Sequence, residues 1–258
     1  MRILLTVLLL CGFSLSAAAA DDWGQWQAST ESNQSAIDHS AWDSWLRQHV
    51  DASSGSVNYQ KVDKNAAKSL DKYISSLEST DPRYYNWAEQ KAYWINLYNA
   101  AVVREILSHQ PVSNVDDLKL HKNKVLKVAG NKMAVEDIRN NILLPIWKDY
   151  RVHFGLACGK MSCPGLANAA FTAANSRDLL KANGKRFVAS KSGLNLDRQK
   201  NVLYLSALFK EHGDDFAPSK DKLIKTLSLY SPDNAALYLL GFNGKIDYID
   251  DTQVLAAN

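Results

Sequence analysis

The chain has 258 residues, with 30 Lys and Arg against 27 Asp and Glu, a net charge of +3, and 46% apolar residues. A balance this close to neutral gives no electrostatic reason to seek nucleic acid. The length suffices for one large domain with a real core, and after the first residues no run reaches the roughly 18 apolar residues of a membrane span.

The chain opens on MRILLTVLLLCGFSLSAAAADD. A positive start, an apolar stretch and three small residues before an acidic segment are the pattern of a secretory signal peptide. Cleavage is expected after Ala20, not lipid attachment at Cys11, because Leu10 is too large for a lipoprotein cleavage site. Removal of 1–20 takes only Arg2 among the charged side chains and lowers the charge from +3 to +2. The expected location is therefore periplasmic or secreted.

Residues 21–37 are polar and carry two tryptophans, which reads as a loosely held leader ahead of a domain over 38–258. From Ser40, the spacing of Trp42, Trp45, Leu46 and His49 predicts a helix. SVNYQKV (56–62) alternates like a short strand, and 65–79 reads as a helix punctuated by Asp81-Pro82. The longest helical pattern is 86–109, free of interior Gly and Pro and ending before Pro111. VLKVAGNKMAV (125–135) signals a hairpin whose turn has Gly130 first, then Asn131. The next helix is expected to be cut at Pro145. RVHFGLAC (151–158) reads as a strand and 175–190 as a helix. NVLYLS (201–206) reads as a strand whose Ser206 caps ALFKEHGDDF. Ser219 is expected to cap another helix, Asp233 or Asn234 to start the last, and KIDYID to end as an edge strand. Without regular βαβ spacing, the fold class is α+β: a single domain with helices packed around a small, mostly antiparallel sheet.

Two stretches could carry chemistry. On the long helix Glu89, Tyr93, Asn96 and Ala100 share a side, with Asn99 close to it. Two asparagines inside so apolar a helix are costly unless their amides are bonded. They either satisfy neighbouring backbone or orient an imidazole and bind substrate; the structural reading carries about twice the weight, since most buried polar groups are simply satisfied. In the second stretch, a strand would place His153 over the small residues Gly155 and Ala157. Ser162-Cys163-Pro164 reads as the start of a helix, where backbone N–H groups lower a thiol pKa.

Three readings follow, in descending weight. Cys158 and Cys163, both retained after signal removal, pair in an oxidising compartment. Alternatively Cys163 is a nucleophile with His153 as base. Least favoured is a metal site of His153, Cys158 and Cys163, for which no fourth ligand presents itself; no metal and no cofactor is therefore expected. His39, His49, His109, His121 and His212 lie in polar or helix-end contexts and read mostly as solvated.

EQKAYWINLYNA (89–100) together with VHFGLACGKMSCPGL (152–166) resembles the DUF547 family, a domain of unknown function. Echoes at GSVNYQKV, NKMAVEDIRNNIL and YLSALFKEHGDDF extend the resemblance over roughly 40–250. It implies that Glu89, Trp94, Asn96, Tyr98 and Asn99 belong to one signature, and His153, Cys158, Ser162, Cys163 and Pro164 to another, meeting at one site. The chain departs from the family at Ile138-Arg139-Asn140, where Ile-Glu-His is common, and its tail lacks the family's tryptophan. The resemblance implies no reaction. The leading expectation is a thiol-dependent acyl-transfer or hydrolytic site with Cys163, His153 and Asn96 catalytic and Glu89, Asn99, Tyr98 and Ser162 binding substrate. The alternative is a non-catalytic envelope binding or scaffold domain stapled by Cys158–Cys163. The expected partner is a small molecule or peptide, with no nucleic acid and no membrane span after signal cleavage.

Overall fold

The structure, a computed structural model, describes residues 22–249. The expected signal peptide lies outside the described residues. The helices α1 (Ser40–His49) and α2 (Lys64–Glu78) lead into α3 (Trp87–Ser108), the central element of the fold. Asn86 caps α3 by accepting from the N–H groups of Ala88 and Glu89, both at 3.1 Å. Every residue of α3 from Ala92 to Val103 is buried, as expected of a helix that is apolar all round. No helix among the described residues is long and apolar enough to cross a membrane.

The leader is held against this helix. Trp26, 1% exposed, meets Trp94 edge-on at 5.1 Å, and Gln90 Nε2 donates to the carbonyls of Ala28 and Tyr85. Burying an indole outweighs the polar composition around it: about 2–3 kcal/mol comes from one large apolar side chain.

The hairpin forms with β1 (Leu126–Val128) and β2 (Asn131–Met133). Its turn residues are Ala129 and Gly130, at φ 44° and 84°. Two positive φ values define the I′ turn and not the Gly-first type expected. The following helix passes through Pro145. It runs as α4 (Val135–Asp137), a π-helical segment (Ile138–Leu143) and α5 (Leu144–Trp147). The wider π turn accommodates the missing proline N–H without ending the helix.

Two expected strands are absent. Residues 56–62 make one bridge, Val50 to Val57, and a 3-10 turn at Tyr59–Lys61. Gly55 packs instead on the chain at Gly165. A Cβ on Gly165 would lie 2.5 Å from the Ser54 carbonyl oxygen, and Leu166 N donates to Gly55 O at 2.9 Å. The same contact, with Arg186 donating to the carbonyls of Gly165 and Leu166, keeps residues 164–166 from helical hydrogen bonding. Pro164 therefore starts no helix, and Cys163 has no helix N-terminus behind it. The segment expected as a strand at 151–158 is a 3-10 helix over Tyr150–Gly155, begun where Asp149 Oδ1 accepts from Arg151 N at 3.1 Å.

After α6 (Ser176–Val188), β3 (Leu194–Asp197) pairs antiparallel with β4 (Val202–Leu205), and β4 pairs parallel with β5 (Lys245–Tyr248), which is an edge as expected. The short helices α7 (Ala207–Glu211) and α8 (Gly213–Phe216), then α9 (Lys220–Ser228) and α10 (Asp233–Leu240), complete an α+β fold. Ser206 caps α7 and Ser219 caps α9, each accepting from the N–H two or three residues on. One apolar cluster surrounds α3; a second joins the three-stranded sheet to α9 through Phe154, Phe187, Phe209 and Phe216. The 3-10 turn feeds both clusters: Val152 enters the first and Phe154 the second.

Candidate functional site

Cys158 and Cys163 are joined, with S–S 2.00 Å and Cα–Cα 5.8 Å. Gly159, at φ 82°, turns the chain between them, and a Cβ there would lie 2.9 Å from Ile106 Cδ1. The disulfide forms part of the wall of a cavity of about 190 Å3 that is also lined by Ser162, His121, Arg139, Lys160, Glu136 and Glu211. Two ion pairs cross its lining, Arg139 to Glu136 at 2.8 Å and Lys160 to Asp116 at 3.0 Å. Arg139 and Asn140 belong to the π-helical segment. Such segments recur at functional sites because they turn side chains out of helical register.

The two asparagines of α3 do not reach this cavity. Asn96 Nδ2 donates to Phe171 O at 2.8 Å and its Oδ1 accepts from Phe171 N at 3.0 Å. Asn99 does the same across Gly155 O and Ala157 N, at 2.8 and 2.9 Å. Each amide thus acts as a short strand partner for an irregular segment, which is the structural reading. Glu89 accepts from Ile37 N at 3.2 Å. Tyr98 donates to Glu136 Oε1 at 2.8 Å, behind the cavity lining. Ser162 uses its carbonyl to accept from Ser206 Oγ at 2.6 Å.

His153 is buried in the 3-10 turn, and its Nε2 meets Asp215 Oδ2 at 2.9 Å. The sulfurs share the cavity with His121, not with His153. Burial pushes the His153 imidazole down to about 4, outweighing the hydrogen bond to Asp215 that pulls it up. The pair is therefore a hydrogen bond from a neutral ring near pH 7 and not an ion pair. His212 lies tilted beside it, ring centroids 4.7 Å apart and planes at 37°, with Nδ1 3.6 Å from the same Asp215 oxygen. Burial, then the charge of Arg139, lowers His212 as well.

From the sequence His212 reads as solvated and Asp215 does not stand out, because HGDDF looks like a solvated helix end. Their i, i+3 spacing was the available signal. His39 also departs from expectation: it is buried, and its Nδ1 lies 2.7 Å from Tyr73 Oη.

A disulfide-closed turn opposite a buried helix with two backbone-clamping asparagines defines an α+β domain built around the two signature segments. Residues 82–188 match the family model described as "Protein of unknown function, DUF547". That match spans a narrower range than the resemblance read across the whole sequence and takes in both signature segments. Neither the curated proteins nor the solved structures contain a match.

Proposed function

We propose that this chain is an exported, non-catalytic binding domain whose ligand is a small polar molecule carrying both signs of charge. The observation that carries the reading is the Cys158–Cys163 disulfide in the wall of the charged cavity. A bonded Cys163 has no thiolate to attack with, and the His153 ring spends its Nε2 on Asp215 instead of a sulfur. The cavity offers Arg139 and Lys160 to an anionic group and Glu136, Asp116 and Glu211 to a cationic one. Its volume of about 190 Å3 suits a ligand smaller than the usual contents of a drug-sized pocket. Export fits both the N-terminal apolar segment and an oxidised cysteine pair.

Two measurements test this. Thiol titration of the protein recovered from the cell envelope should find no free thiol before reduction and two after it. Its mass should begin at Asp21. Thermal shift against a panel of amino acids and other small zwitterions should then identify stabilising ligands, with the shift lost in Arg139→Ala. A free Cys163 that reacts with iodoacetamide without reductant, or that accumulates an acyl group from an ester, overturns the binding reading in favour of thiol chemistry.

A further inference from the structure

Apart from the cavity, the geometry points to a divalent transition-metal site formed by His153 Nε2, His212 Nδ1 and Asp215 Oδ2. One ligand atom from each of the three residues lies within 4.8 Å of the others, with His153 Nε2 2.9 Å and His212 Nδ1 3.6 Å from Asp215 Oδ2. Metal–ligand bonds of about 2.0–2.1 Å at tetrahedral angles set donors about 3.3 Å apart. The first spacing must open and the second must close by a few tenths of an ångström. Asp215 can supply that movement, because its side chain is 45% exposed at the outer edge of the cluster.

The scaffold suits such a site. One turn of chain delivers two donors, His212 at the cap of α8 and Asp215 within it. The third comes from a separate element, where the His153 ring is held against Phe216 with centroids 5.2 Å apart. Phe154 and Tyr150 also pack on Phe216, so an apolar shell surrounds the polar cluster and strengthens electrostatic attraction within it. Arg139 opposes a cation here, whereas Glu211 and Glu136 favour one. Two imidazoles and one carboxylate select Zn2+, Co2+, Ni2+ or Fe2+ over Mg2+ and Ca2+, which prefer oxygen. Three protein donors leave a position for water or a ligand atom.

The test uses the oxidised protein, stripped with chelator, and Co2+ as the spectroscopic probe. One Co2+ per chain should bind with visible d–d bands of four- or five-fold coordination, and Zn2+ should displace it. His212→Ala and Asp215→Asn should each weaken binding at least about tenfold, the scale seen even for outer-shell changes. Asparagine keeps an acceptor for the His153 N–H, so the second variant retains the native hydrogen bond. His121→Ala, in the cavity lining, should leave Co2+ affinity unchanged. Absence of d–d bands at millimolar Co2+, or affinity unaltered in both His212→Ala and Asp215→Asn, overturns the site. A circular dichroism spectrum matching the parent shows that a lost signal is not lost fold. None of these outcomes depends on whether the cavity binds a zwitterion.

Discussion

Asn99 and Asp215 both hold the segment around His153, and they do so in opposite ways. Asn99 is buried and spends its amide on two backbone groups, Gly155 O and Ala157 N. Asp215 is half-exposed and presents one oxygen to two imidazoles, bonding one at 2.9 Å and standing 3.6 Å from the other. The first arrangement ties the amide to backbone on both its oxygen and its nitrogen and closes the fold. The second leaves a donor set that a proton or a cation could still bridge. Burial alone does not separate the two arrangements; whether the side chain is bonded to backbone or to titratable groups does.

The comparison is most easily broken at Asn96 or Asn99. Replacing either by Leu orphans two buried backbone groups. At about 1–3 kcal/mol for each, the expected loss is about 4 kcal/mol, or about 10 °C in Tm for a chain of this size. Urea denaturation measures it, and a loss below about 1 kcal/mol would deny these residues their structural role.

Next comes a pH dependence in the structural half. Burial pushes His39 from 6.5 down to about 4. Between those values the unfolded chain binds a proton that the folded chain refuses. This contribution to stability is complete above pH 6.5 and is lost as pH falls toward 4, amounting to about 3 kcal/mol. Stability of the parent and His39→Gln, measured from pH 7 to 4.5, should converge as the pH falls, because the variant lacks this loss.

The disulfide should contribute less. Its short loop removes about 2 kcal/mol of chain entropy from the unfolded state, so Cys158→Ser with Cys163→Ser should lower Tm by about 5 °C. Calorimetry of the double variant checks it. His212→Ala should have the smallest effect, within about 1 kcal/mol, since a half-buried ring beyond hydrogen-bond distance loses only packing. A larger loss would place His212 with Asn99 as part of the structural frame.

Local signals in the sequence were enough for the long helices, but not for the 3-10 helix at Tyr150–Gly155 or for the helix expected at Pro164. The caps Ser206 and Ser219, the uninterrupted apolar pattern of α3 and the Cys158–Cys163 spacing act over a few residues, and the structure contains each feature they imply. The family resemblance was likewise legible in two short signatures, one on α3 and one around the disulfide. What sequence could not decide was long-range. The 151–158 segment has a strand's composition but finds its pairing in the amide of Asn99, which lies 56 and 58 positions away from its two backbone partners. Pro164 begins no helix because Gly165 is pressed against Gly55, and no local pattern announces a contact between two glycines. His153 meets Asp215 across 62 positions. A side chain's partner is set by the packing of whole elements, so HGDDF read alone is a polar helix end, and only the tertiary structure brings its Asp215 against His153.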